Sequence, residues 1–270
     1  MHIHTTKSDG TYSVRDVFEK AKKEGVEAIA ITDHDTVGAV EEAESVCAEY
    51  GIEFIPGIEL SAMHGSKEVH IVGLYMDRHD KDFRETLNYL QKKRMERNEK
   101  IVKKLKDNGV SVDYDELFEM TENINTAGRL HLARLLIKKK AVANIKEAFN
   151  KYLGEGKAAY VAKIKMTVPE CVAMVRKNKG IPVLAHPSKL GADEMIETWA
   201  KQGLMGVEAF HPDHRFEDSE KFLKIAEKCD LLVSGGSDSH GGAKDYTDIG
   251  TVKLPYSYFE KIKKAAGKKV

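Results

Sequence analysis

Apolar and polar positions along the chain alternate between short apolar runs and longer stretches of helical spacing. A strand-like start at His2–His4 leads to a helix over 14–24, with Ser13 as its N-cap and Gly25 just past its end. Residues 27–31 read as a strand, 37–50 as a helix stopped by Gly51, and 53–60 and 69–75 as two more strands. The alternation then breaks: 83–108 reads as one long charged helix ended by Gly109, and 128–154 as further helices. It resumes with a helix at 169–178, a strand at 181–185, a helix at 192–202 and a strand at 206–210. A helix at 216–229, a strand at 231–234 and a helix after Pro255 complete the series. Strand–helix alternation predicts an α/β fold with a mostly parallel sheet or barrel, here formed by 1–90 and 166–270 around a helical insertion at 91–165.

Composition adds limits. A chain of 270 residues with 41% hydrophobic content is long enough to bury the core of one large α/β domain. No run approaches the ~20 apolar residues that span a bilayer, and the start lacks the basic-then-apolar pattern of a secretory leader, so cytoplasmic residence without membrane contact is expected. Cys47, Cys171 and Cys229 are scattered and form no Cys-x-x-Cys pair, which argues against a disulfide framework and for small buried side chains. The formal charge is zero, yet 91–165 carries 18 Lys and Arg against 10 Asp and Glu. That segment is either a phosphate-facing surface beside an acidic remainder or a solvated lysine-rich face.

Candidate chemistry begins in the first nine residues, where His2, His4 and Asp9 precede any helix; on an extended strand His2 and His4 share a face. Similar donors recur where apolar runs end: His34 in Thr32-Asp33-His34, Glu59 in Gly57-Ile58-Glu59, His186 before Pro187, and Asp238 and His240 in Ser237-Asp238-Ser239-His240. His70 lies inside a strand-like stretch. These nine donors are too many for one ion. Imidazole and carboxylate without thiolate suit manganese, iron or zinc. Neither a P-loop nor a Gly-x-Ser-x-Gly elbow occurs, so the sequence offers no sign of a P-loop NTPase or a serine hydrolase.

Taken together in this order, these motifs resemble the PHP family, the polymerase and histidinol phosphatase domain, over nearly the whole chain. The resemblance implies a distorted, TIM-like β/α barrel and metal-dependent phosphoester hydrolysis. It implies two to three divalent ions, manganese first and iron or zinc as alternatives. His2, His4, Glu59 and Asp238 would hold one ion, Asp9, His34 and His240 a second, and Glu59, His70 and His186 a third. The nucleophile would be a metal-bridging hydroxide held by Glu59, Asp238 and His240, with His240 also reaching the substrate. Asp9, where some members carry histidine, resembles the branch that acts on nucleotides and nucleoside 3′,5′-bisphosphates.

Inside the insertion, Gly128-Arg129-Leu130-His131 resembles the Gly-Arg-x-His element of the nucleotide phosphatases, which implies substrate contacts at Gly128, Arg129 and His131. A guanidinium fork suits a phosphate, and a glycine lets backbone approach a ligand; the residues could equally open the next helix. Arg94 and Arg97 fit either a phosphate or a solvated stripe with Lys92, Lys93 and Lys100. His211-Pro212-Asp213-His214 follows a strand and fits either the lining of the mouth or a polar loop, His64 and His79 read as exposed loop histidines, and Trp199 reads as helix packing. The expected substrate is a small phosphorylated molecule, a nucleotide or short oligonucleotide, with no obligate protein partner evident. Histidinol phosphate, a non-catalytic metal-binding module and a nucleic-acid binder acting through the basic segment are the competing readings.

Overall fold

The structure, a computed structural model, describes residues 1–162, 166–243 and 246–269. The far boundary of the expected insertion, at 163–165, lies outside them. Helix α1 (Val14–Lys23) begins on a reciprocal cap in which Ser13 Oγ and the Asp16 carboxylate satisfy each other's backbone N–H. Strand β1 (Ala28–Ile31), helix α2 (Val40–Tyr50), strand β2 (Glu53–His64) and strand β3 (Lys67–Leu74) follow. Helix α2 ends on Gly51 in the left-handed conformation. Helix α3 (Lys81–Asp107) is the long charged helix, and α4 (Arg129–Lys138) and the short α5 (Ile145–Ala148) lie beyond it. Then come β4 (Met166–Thr167), α6 (Val168–Lys177), β5 (Ile181–Leu184), α7 (Met195–Lys201), β6 (Gly206–Phe210), α8 (Phe216–Lys228), β7 (Leu232–Gly235) and α9 (Tyr256–Ala265).

The strands form a curled sheet in the order β1-β2-β3-β5-β6-β7, with β4 at the side of β2. It is less uniformly parallel than the sequence pattern predicts. The two strands expected over 53–60 and 69–75 are present as β2 and β3, and both extend toward a two-residue turn at Gly65-Ser66 across which they pair antiparallel. A loop that short can only return the chain against itself. β3 therefore runs against both β2 and β5, while β1–β2, β5–β6 and β6–β7 remain parallel.

The N-terminal segment lies between the two outer strands of this sheet. It joins them through an isolated bridge and single hydrogen bonds, where the sequence suggested a strand. Ile3 bridges Ser239 beyond β7, and Thr32 beyond β1 donates its N–H to Ile3 O at 2.8 Å. Such close approach requires glycine: a Cβ on Gly236 would sit 2.5 Å from His2 N, and one on Gly10 2.5 Å from His4 O.

Buried apolar side chains gather on either side of the sheet and in a separate cluster. On one face lie two clusters, Ile58, Leu60, Ile71, Val172, Leu184, Trp199 and Phe222 in the first and Val17, Phe18, Ile29, Ile31 and Val46 in the second, and on the other face Ala30, Ile55, Val72, Leu74, Ile181 and Val183. Ile101, Leu105, Leu117, Leu132, Leu136 and Leu153 pack among themselves, all from the 91–165 segment. Trp199 is buried, as expected of helix packing. No helix among the described residues is long and apolar enough to cross a membrane.

Candidate metal centre

Glu59 occupies the middle of the site, and its backbone explains why. Its N–H donates to Asp33 O (3.2 Å) and its carbonyl accepts from Asp35 N–H (2.9 Å), so pairing of β1 with β2 continues past Ile31 and sets His34 opposite Glu59. On the other side, β3 pairs His70 with Ser61, and Ala185 N–H donates to His70 O (3.1 Å), which brings the end of β5 and His186 alongside. The nine expected donors converge here from strands widely separated in sequence.

The two oxygens of Glu59 face different sets of imidazoles. Oε2 lies 3.3 Å from His2 Nε2, 3.1 Å from His4 Nε2 and 3.1 Å from His34 Nδ1, while Oε1 lies 2.9 Å from His70 Nδ1 and 3.2 Å from His186 Nε2. Asp238 Oδ1 is 3.4 Å from His2 Nε2 and 3.2 Å from His4 Nε2. Asp9 Oδ1 is 3.3 Å from His240 Nε2, and Oδ2 is 3.9 Å from His34 Nε2. Three groups have ligand atoms mutually within 4.8 Å: His2, His4, Glu59 and Asp238; His4, Asp9, His34 and His240; and His34, Glu59 and His70. His4 and His34 thus border two groups each, which the sequence did not suggest. His186 Nε2 approaches the third group at 3.2 Å from both Glu59 and His70.

Metal ions fit this donor set. Buried polar atoms normally find hydrogen bonds, yet His2 Nε2, both ring nitrogens of His4, His34 Nδ1 and Glu59 Oε2 make none and point inward together. Three non-glycine residues hold the left-handed backbone here: Asp35 (φ 51°), His186 (φ 31°) and Asp238 (φ 48°). Strain of this kind persists where surrounding contacts over-determine it, and it is characteristic of functional sites.

Charge is tightly coupled across the cluster. Burial disfavours charge on His4, but the carboxylates of Asp238 and Glu59 beside its ring outweigh it and raise its pKa to about 9. His70 is likewise raised to about 9 against its burial, by Glu59 and Glu68. His34, for which burial dominates, falls well below the usual histidine value. Burial acts against ionised Asp9, Glu59 and Asp238, yet the surrounding histidines hold all three carboxyls well below the usual range.

Around the donors stands a layer that the sequence left outside the ligand set. Asp33 accepts from Thr5 N–H and Thr5 Oγ1 (both 2.7 Å) and from Ser8 Oγ, fixing the loop that carries Asp9. Asp35 accepts from Ser61 N–H (3.1 Å) and pairs with Arg94. Glu208 on β6 meets His2, and buried His211 sets Nε2 3.6 Å from Asp238 Oδ2. The signals were a lone carboxylate inside the apolar run 206–210 and the two aspartates flanking His34. His64 is not in a loop: it is half-buried at the end of β2, paired opposite Lys67 and packed edge-on against Trp199, whereas His79 is exposed.

A pocket beside the donors is lined by Asp9, His34, Arg94, Arg97, Gly128, Arg129 and His131 among others. Arg94 and Arg97 face inward from α3 while Lys92 and Lys100 are exposed, so the arginines do not belong to a solvated stripe. Burial lowers both guanidinium pKa values to about 10, which leaves them charged at neutral pH. Arg129 reaches Glu68 (3.3 Å) and lies over the Phe149 ring. His131 is buried, and its Nδ1 accepts from Gly128 N–H (3.1 Å) at the start of α4. Burial lowers its pKa to about 4, so it is neutral.

The PHP domain family model matches residues 1–162, more than half of the chain. The chain belongs to the PHP family. A 3′,5′-nucleoside bisphosphate phosphatase of Chromobacterium violaceum is 30% identical over 261 residues, covering 94% of this chain and 92% of the relative. A 5′-3′ exoribonuclease of Haemophilus influenzae is 32% identical over 248 residues, 89% of each protein. Among solved structures, a Bifidobacterium adolescentis protein described as a metal-dependent phosphoesterase superposes with a TM-score of 0.89 at 28% identity, covering 98% of this chain and 94% of that one. The family implies divalent metals, and this PHP chain groups imidazole and carboxylate donors able to hold them.

Proposed function

We propose that this PHP chain is a metal-dependent phosphoesterase that hydrolyses phosphomonoesters of nucleotides, nucleoside monophosphates or 3′,5′-bisphosphates, and trims short oligonucleotides from the 5′ end. The observation that carries the reading is the split of Glu59: one carboxylate oxygen faces His2, His4 and His34, the other His70 and His186, beside an arginine-lined pocket. A carboxylate with two acceptor oxygens can hold two ions at once. His2, His4, Glu59 and Asp238 would hold the first ion, Asp9, His34 and His240 the second, and Glu59, His70 and His186 the third. Manganese is our first choice, with iron or zinc suited to the same ligands. Bound divalent ions supply a nucleophilic oxygen at neutral pH and neutralise phosphoryl charge.

The remaining work falls to the chain's own residues. Arg94, Arg97 and Arg129 place positive charge where substrate phosphate enters, and Gly128, without a side chain, leaves room for it in the pocket wall. His131 holds the Gly128 turn by accepting its N–H. In this reading residues 91–165 cap the mouth of the site, supported by the segment's own apolar cluster. The N-terminal segment completes the curled sheet as a distorted barrel, and the protein works in the cytoplasm on a small substrate.

Elemental analysis of purified protein, combined with phosphate release from nucleoside monophosphates, 3′,5′-bisphosphates, short oligonucleotides and histidinol phosphate with and without manganese, tests this. At least two ions per chain and manganese-dependent release from nucleotides are expected. No bound ion after reconstitution would sink the centre, and a strong preference for histidinol phosphate would move the substrate out of the nucleotide class.

A further inference from the structure

Strand β6 contributes none of the nine donors, yet it places a carboxylate directly behind them. Glu208 lies in the run Gly206-Val207-Glu208-Ala209-Phe210, and only 1% of it is exposed. A charged side chain buried that deeply in an apolar strand is costly unless each oxygen has a partner. Both do. Oε1 lies 3.0 Å from His2 Nδ1, and Oε2 accepts the backbone N–H of His186 at 2.8 Å.

We propose that Glu208 is a positioning residue of the metal centre, holding His2 and His186 at once. The bond to His2 Nδ1 puts the ring proton on that nitrogen and leaves Nε2 as a bare lone pair. It is Nε2 that faces Glu59 and Asp238, and it makes no hydrogen bond of its own. The second oxygen anchors His186 in its left-handed backbone conformation, from which Nε2 reaches Glu59 and His70. One carboxylate thereby sets the tautomer of one ligand and the backbone of another, on opposite sides of Glu59. Outer carboxylates that orient metal-ligating histidines contribute roughly 10- to 100-fold to metal affinity.

Glu208→Gln isolates this role because it keeps size and shape. An amide has one acceptor and one donor end, so it cannot accept from both partners. With its oxygen on the His186 N–H, its NH2 group faces His2 Nδ1 and forces the proton onto Nε2, the atom needed by the ion. With the amide reversed, two N–H groups oppose each other at His186. Either arrangement weakens one side of the centre and spares the group of His4, Asp9, His34 and His240.

The test is calorimetric titration of Mn2+ into chelator-stripped full-length protein, wild type and Glu208→Gln, with bound ions counted by elemental analysis. We expect one class of site in the variant to weaken roughly 10- to 100-fold while the others keep wild-type affinity. Unchanged affinity at every site, or equal loss at all of them, would overturn the role. Should the variant not fold, nitrogen NMR of the zinc-loaded wild type decides: a proton on His2 Nδ1 supports the assignment, and one on Nε2 refutes it. The inference rests on the metal-centre reading, but the two fail differently. Wild type that binds no divalent ion removes the centre, whereas a wild-type-like variant removes only Glu208.

Discussion

Arg129 condenses the problem of reading a single residue. The sequence allows either a phosphate fork or the opening of a helix, and in the structure Arg129 begins α4 and lines a pocket with Arg94 and Arg97. Its hydrogen bond to Glu68 and its place over Phe149 fix the guanidinium at the pocket wall, where the proposed function gives it the substrate phosphate. Charge-assisted hydrogen bonds contribute about 1.5–3 kcal/mol. Arg129→Ala is therefore expected to raise KM for a nucleotide roughly ten- to a hundredfold, with bound metal unchanged. Steady-state kinetics beside elemental analysis check this, and unchanged KM would remove Arg129 from the substrate site. The nine donors were legible one by one because few structural roles require so many histidines and acids at the ends of apolar runs. Glu208 was not, since a lone acid in such a run has no partner visible in sequence.

At the scale of elements, the helices were read well because caps and glycine stops are local signals. Ser13 does cap α1, and Gly51 does end α2 in the left-handed conformation. Strand direction is a different matter. The two-residue turn at Gly65-Ser66 makes β3 antiparallel, and that reversal carries His70 back along β2 toward Glu59. The N-terminal segment depends on a neighbouring loop rather than on a ladder, so Gly236 is a sensitive position. A Cβ there would lie 2.5 Å from His2 N and 2.7 Å from His2 Cβ. Gly236→Ala is expected to displace His2, to cost about 1–3 kcal/mol by overpacking, and to reduce the number of ions bound. A denaturant midpoint and metal count equal to wild type would show that the segment tolerates the shift.

For the molecule as a whole, the formal charge of zero conceals a separation: excess positive charge in 91–165 and excess negative charge elsewhere, with Glu59, Glu208 and Asp238 among the acids buried at the donor cluster. Histidines and carboxylates compensate one another there, so pH and metal act on the same groups. His4 and His70 have folded pKa values of about 9 against an ordinary 6.5. A raised folded value means that their protonation stabilises the metal-free fold fully below pH 6.5, and that this contribution disappears as pH rises through about 9. Metal ligation needs the same nitrogens unprotonated, so affinity changes in the opposite sense. Chelated protein should thus lose thermal stability between pH 6.5 and 9, while divalent ions bind more tightly and release protons over that window. Melting curves with and without chelator decide it; a chelated midpoint flat across the window would contradict the coupling of these histidines to Glu59.

The sequence by itself determined the chemistry available and most local structure. Side-chain identity, helix caps and apolar periodicity are properties of neighbours along the chain, so they survive without coordinates. It also placed most of the donors at the ends of strands. The tertiary structure alone decided which donors lie together, because that depends on strand order and register: Glu59 meets His34 through continued pairing with β1, and His70 through the reversed β3. It decided that Arg94 and Arg97 face inward, since which face of a charged helix is covered depends on what packs against it. It also brought Glu208 behind His2 and His186, a meeting of residues up to 206 positions apart that no local pattern could encode.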